Sequence, residues 1–268
     1  LYISKITPFI DKPIVKVITG IRRSGKSALL MLLKDYFISK GSSAENIIYI
    51  NFESMEYADI DSAKSLYSYV VEHKPSNGKC YILLDEIQNV KDWERAVNSF
   101  QVDIDCDIYI TGSNSHLLSS ELSTLLAGRY VEFVIETLSF KEYLSFLDSD
   151  IIDVYKEFNN YLRLGGFPVI HAHNYDADSA YKIINDIYSS VILRDTIQRH
   201  NIRNVDQLER IMKFVLTNVG NLFSAKSISD YFISQKRKVD INTVYNYLSA
   251  LESAYIIRRV NRYNLKGK

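Results

Sequence analysis

The chain has 268 residues, 47% of them hydrophobic and 24% charged, with 32 basic side chains set against 32 acidic ones. That length holds two or three domains with proper cores. A net charge of zero excludes a global field steering the protein to nucleic acid or a membrane surface, so any such surface has to be a local patch.

Five short β-branched runs come first, at 14–19, 47–51, 80–84, 108–111 and 130–135. Helical patterns lie between them at about 26–40, 60–73, 92–102 and 114–126. Alternation of this kind predicts a parallel sheet covered by helices on both faces. The strand cores are apolar rather than alternating, as a sheet buried on both sides requires. After residue 138 the strand signals stop, and helices are expected at 139–148, 151–163 and 177–199, interrupted by GGFP at 165–168. Three further helices, near 205–218, 225–233 and 241–253, lead into a β-like end, YIIRRVNRYN. Three helices followed by a hairpin is the outline of a winged helix-turn-helix. The expected division is therefore 1–137, 138–203 and 204–268.

Gly20 to Ser27, GIRRSGKS, matches G-x-x-x-x-G-K-[ST] between a strand and a helix. Glycines at Gly20 and Gly25 let the backbone from Gly20 through Ser24 to Ala28 wrap phosphate oxygens at the positive end of a helix dipole. Lys26 brings a point charge to the β- and γ-phosphates, and the Ser27 hydroxyl can ligate Mg²⁺. Arg22 and Arg23 read either as solvated side chains or as phosphate sensors. In CYILLDEIQ, four apolar residues end in Asp85 and Glu86. Asp85 suits Mg²⁺ held through water, and Glu86 suits polarising an attacking water, which points to hydrolysis and away from a small-molecule kinase. The next strand ends in ITGSNS. If it lies between the other two, Thr111, Ser113 and Asn114 become candidate sensors of the γ-phosphate, or else caps of the following helix. Arg129, in LLAGRY, reads as a residue stabilising transition-state charge in cis or from a neighbouring subunit, or as a surface ion pair.

GIRRSGKS, YINFE, YILLDEIQNVKDWE, YITGSNS, LAGR, LSFKEYL and LGGFP, in that order, resemble a large prokaryotic family of AAA-type ATPases. That family is related to the archaeal ATPases and to the signal-transduction ATPases with numerous domains. The resemblance covers essentially the whole chain. It implies an α/β P-loop core with Lys26, Ser27, Asp85 and Glu86 in the roles above, a helical lid, and a winged helix. It also implies that Gly166-Phe167-Pro168 packs against the nucleotide, with Pro168 at the site; the alternative is a plain helix break.

His171 and His173 have metal-compatible spacing without further ligands and read as loop residues. DIDCD, 103–107, lacks a calcium loop's glycine and reads as an exposed lead-in to a strand. Lys236, Arg237 and Lys238 precede the expected recognition helix, whose Asn242, Thr243, Tyr245 and Asn246 can meet bases or phosphates. Arg258, Arg259 and Arg262 fall on the expected wing. These cations favour DNA as a partner, against a winged helix used for internal packing. Cys80 and Cys106 read as core thiols of a reducing compartment, hence a cytoplasmic protein. No membrane span or leader is visible. The opening Leu1 and the closing NRYNLKGK read as part of a longer protein. ATP, ADP, Mg²⁺, DNA and further copies of the chain are the expected partners, with a slow signalling switch and a protein-binding winged helix as the alternative.

Overall fold

The computed structural model describes residues 2–113, 126, 128–147, 153–173, 175–198 and 200–260. Five strands form one parallel sheet: β1 (Val15–Thr19), β2 (Ile47–Asn51), β3 (Cys80–Asp85), β4 (Cys106–Thr111) and β5 (Tyr130–Val134). Their order is β2-β3-β4-β1-β5, so β4 lies between the strand before the phosphate loop and the strand carrying the carboxylates. The fold is α/β with helices on both faces.

Alternation along each strand separates two cores. Val17, Ile50, Ile82, Leu84 and Ile110 face helices α2 (Ala63–His73) and α3 (Trp93–Asp103), meeting Leu66, Val70, Trp93, Val97 and Phe100. Ile18, Leu83 and Tyr109 face the opposite way, against Leu29, Leu30, Leu33 and Phe37 of α1 (Lys26–Ser39). Helix α2 begins at Ala63, later than the apolar pattern suggested, because its N-cap Ser62 and Ser65 form a reciprocal capping box. Most of the helix expected over 114–126 lies outside the described residues.

The chain divides into two compact units, Leu1–Tyr181 and Lys182–Lys268. In the first, α4 (Phe140–Phe146) and α5 (Val154–Leu164) follow the sheet, and Tyr161 donates its hydroxyl proton to the Leu138 carbonyl at 2.7 Å. In the second, α6 (Val205–Thr217), α7 (Ala225–Ser234) and α8 (Ile241–Ser253) enclose their own core of Leu208, Ile211, Ile228, Phe232, Val244, Leu248 and Leu251. Residues 257–260 form no strand, and 261–268, with Arg262, lie outside the described residues. Among the described residues no helix is long and apolar enough to cross a membrane.

Lys16 breaks the apolar pattern of β1, yet it is fully buried, as is its partner Asp107 on β4. The two are ion-paired. Asp107 also accepts from the Tyr109 hydroxyl and the Asp11 amide, both at 2.8 Å, and Lys16 donates to the Lys12 carbonyl at 3.1 Å. DIDCD is thus no exposed lead-in at Asp107. Its carboxylate is the anchor of a buried network that holds the segment before β1 against the sheet. Burial lowers the Lys16 pKa, with Asp107 opposing that fall.

Removing one member of a buried pair strands the other charge. Asp107→Ala should destabilise the protein by about 3–5 kcal/mol, read as a lower denaturation midpoint in urea. The paired replacement Lys16→Met/Asp107→Leu should recover most of that loss.

Candidate nucleotide site

Two glycines shape the loop between β1 and α1. Gly20 has φ +139°, and a Cβ there would stand 2.1 Å from the Ile135 carbonyl oxygen, so no other residue fits without moving backbone. Gly25, at φ +103°, starts α1 with no side-chain cap, leaving the first-turn N–H groups open to an anion. The Ser24 hydroxyl is buried without a hydrogen-bond partner among the described residues, which marks a polar cradle awaiting acceptor oxygens. Lys26 is buried and curls back over this loop, donating to the Gly20 and Ile21 carbonyls at 3.1 and 3.2 Å. Ser27 and Ala28 are exposed at the start of the helix.

The carboxylates arrive from the end of β3. Asp85 is fully buried and accepts from the Thr111 hydroxyl and, at 3.3 Å, from the Tyr49 hydroxyl. Burial, reinforced by Asp85, pushes the Tyr49 pKa up to about 12, so this phenol stays a donor. Thr111 also accepts from the Glu86 amide at 2.9 Å. Glu86 adopts the left-handed conformation, φ +56°, costly for a residue with a Cβ. That turn sends its carboxylate toward the loop, where Oε1 stands 3.8 Å from Lys26 Nζ. Gln88 donates to the other oxygen, Oε2.

Oxygen donors only, from Asp85 and Ser27, beside an anion cradle with a lysine, fit a hard divalent cation carried with phosphates. Among the described residues there is no cluster of three or more His, Cys, Asp or Glu that would hold a metal by itself. His171 is engaged with the Gly165 carbonyl at 2.7 Å.

A family model described as an AAA domain matches residues 12–144, and a model for a domain of unknown function matches 155–267. An uncharacterized protein of Haemophilus influenzae is 40% identical over the whole chain, which spans 67% of that relative. The chain belongs to the AAA-domain family. An uncharacterized protein of Methanocaldococcus jannaschii is 30% identical over 95% of the chain, which spans 58% of that relative's length. Solved structures similar to the chain include AMPPCP-bound DnaA from Aquifex aeolicus, at 14% identity and TM-score 0.42 over 96% of this chain and 87% of that one. Aeropyrum pernix ORC1 in complex with DNA aligns at 14% identity and TM-score 0.41, over 95% and 81%.

Within the AAA domain, the expected residues fall into two places. Gly20, Ser24, Gly25, Lys26, Ser27, Asp85 and Glu86 share the edge formed by the C-terminal ends of the strands, with buried Ser113 following β4 at the same edge. Pro168 joins them: its Cγ lies 4.0 Å from where a Gly25 Cβ would stand. Arg22 is tied to Glu53 at 2.7 Å, and Arg23 is exposed. Asn114 lies outside the described residues.

Arg129 lies elsewhere, and a role in cis is corrected. Val15 pairs with Tyr130 and Thr19 with Val134, so Arg129 sits at the N-terminal edge of the sheet, and its carbonyl accepts from Val15 N. Roughly 16 Å of extended strand separates that edge from the loop. There Arg129 borders a cleft of about 540 Å³ with Asp11, Lys12, Lys79, Asp103 and Asp105, which contains no residue of the loop. The sequence reading missed Tyr49. Its only signal was a tyrosine near the end of a strand, in YINFE, and only the β2–β3 pairing shows what that tyrosine meets. Cys80 and Cys106 are register partners on β3 and β4 and remain free thiols, their pKa values pushed by burial up to about 11 and about 12.

The glycines predict a graded result. Gly25→Ala has room but keeps a left-handed φ, costing about 1–3 kcal/mol. Gly20→Ala must displace the Ile135 backbone as well, so its melting temperature should fall clearly below that of Gly25→Ala in nucleotide-free thermal unfolding.

Proposed function

We propose that this chain binds Mg-ATP and hydrolyses it, coupling nucleotide state to an action on DNA through its C-terminal helices. The observation that carries the reading is the convergence of Lys26, Asp85 and Glu86 on one edge of the sheet, facing an uncapped helix N-terminus. Backbone N–H groups from Gly20 to Ala28 and the Ser24 hydroxyl take the phosphates, and Lys26 exchanges its loop carbonyls for β- and γ-oxygens. Ser27, and Asp85 through water, would hold Mg²⁺, which would neutralise phosphate charge. Thr111 and Tyr49 keep Asp85 oriented, and Glu86 takes the proton of the attacking water. Ser113 and Asn114 are the proposed γ-phosphate sensors. Arg129 reaches a phosphate only across an interface with a second copy of the chain, because its own loop is at the other edge.

Two substitutions test the site. Lys26→Ala should abolish tight ATP binding by calorimetry with the fold retained in circular dichroism. Glu86→Gln should keep ATP bound while hydrolysis slows by ~10²-fold or more. Normal turnover in that variant moves the base elsewhere.

For DNA, the support is local charge. Lys236, Arg237 and Lys238 are all exposed between α7 and α8, and α8 presents Asn242, Tyr245 and Asn246 outward. Arg259 contributes less than its place in the sequence suggested, being ion-paired to Glu252 at 2.7 Å. Each phosphate contact releases about 0.9 counterion, so replacing Lys236, Arg237 and Lys238 with alanine should flatten the log–log salt slope by about 2.7. Fluorescence anisotropy of labelled duplex across salt concentrations reads that slope, with ATP affinity unchanged. The second reading, a nucleotide-timed switch with a protein-binding C-terminal unit, is favoured by the nearness of Pro168 to Gly25. It leads if no duplex binds even at low salt.

A further inference from the structure

Gln88 lies two residues beyond Glu86, in the 3₁₀ turn Ile87–Asn89. Its side chain does two things that a surface glutamine does not. Nε2 donates to Glu86 Oε2, and Oε1 is buried with no hydrogen-bond partner among the described residues. Leaving a buried acceptor unmet costs about 1–3 kcal/mol, so an unmet carbonyl beside a carboxylate calls for an explanation.

The two oxygens of Glu86 are held from different sides. Oε1 faces Lys26 at 3.8 Å, and Oε2 takes the Gln88 amide. The Lys26 contact belongs to the phosphate-free arrangement, since the same ammonium lies over the loop, on the Gly20 and Ile21 carbonyls. Once it turns to phosphate, Gln88 is the contact that still fixes the carboxylate among those formed here. The Glu86 backbone is in the left-handed region and its amide is committed to Thr111, so neither orients the carboxylate further.

We propose that Gln88 is a positioning residue for Glu86: its amide holds the carboxylate in the orientation that polarises water, and turning Nε2 to Glu86 is what leaves Oε1 without a donor. No covalent bond is made or broken by Gln88. The water's transferred proton goes to Glu86, and the second hydrogen stays on the water oxygen. The inference rests on Glu86 being the base.

The test is a double-mutant cycle in the full chain, read as the single-turnover rate of ATP hydrolysis, with affinity for a fluorescent ATP analogue measured separately. Gln88→Met keeps length and bulk without the amide. It should slow hydrolysis about 10- to 100-fold, the usual scale for losing the partner that orients a functional group, with nucleotide affinity within about twofold. Gln88→Glu, isosteric but without the donor, should show the same loss and serves if the methionine variant does not fold. In a Glu86→Gln background, either substitution should add almost nothing, because a residue acting through Glu86 has nothing left to orient. Wild-type rates in both Gln88 variants overturn the proposal, as does an equal slowing in both backgrounds, which is the mark of a purely structural role. If Glu86→Gln itself leaves the rate unchanged, the base assignment fails first and the proposal falls with it. That outcome is distinct from the other two.

Discussion

The Thr111 hydroxyl donates to Asp85 while accepting from the Glu86 amide, so one side chain at the tip of β4 sets the position of both acids at the tip of β3. This works only because β4 is inserted between β1 and β3. With that order, the loop after β1, the acids after β3 and the hydroxyl ending β4 fall side by side on one edge. Parallel strands make the edge chemically one-sided, since every strand delivers its C-terminal residue there and its N-terminal residue to the opposite edge. Asp85 is fully buried because Thr111 and Tyr49 satisfy it, and Glu86 is turned toward Lys26 because its backbone leaves the strand at a left-handed residue.

The opposite edge carries a second polar arrangement with a different purpose. Lys16, Asp107, Tyr109 and Asp11 form a buried network that ties the segment before β1 to the sheet. A buried ion pair gains little over a well-packed apolar pair, but leaving one partner alone is severe. The network therefore specifies where the N-terminal segment docks more than it adds net stability. Arg129, at this same edge, is separated from its own loop by the length of β1, which makes the two edges functionally distinct.

The segment after β5 connects to the loop edge through backbone packing. Leu138 N donates to the Gly166 carbonyl at 2.7 Å, and a Cβ on Gly166 would stand 2.2 Å from the Leu138 carbonyl oxygen. Glycine is required at 166 for closeness, not for a positive φ. The same segment brings Pro168 Cγ to 4.0 Å from where a Gly25 Cβ would stand.

Sequence alone determined the class of fold and the contents of the loop. Strand runs at 47–51 and 80–84 agree closely with β2 and β3, because strands buried on both faces are uniformly apolar and bounded by polar residues. Lys26 was legible in GIRRSGKS, and Asp85 and Glu86 in LLDE, since these are local patterns with a local mechanical reason. The tertiary structure decided everything that depends on strand order and register. Asp107, taken from its neighbours as a solvated acid, is buried because β4 pairs with β1 beside Lys16. Tyr49 meets Asp85 only through the β2–β3 pairing, and Arg129 is removed from the loop by the β1–β5 pairing. Gln88 closes CYILLDEIQ without a signal of its own, and the turn after β3 puts its amide on Glu86. A one-dimensional pattern records which side chains are near in the chain. Which carboxylate faces which cation is set by pairings between strands dozens of residues apart, and those pairings follow from packing the whole sheet.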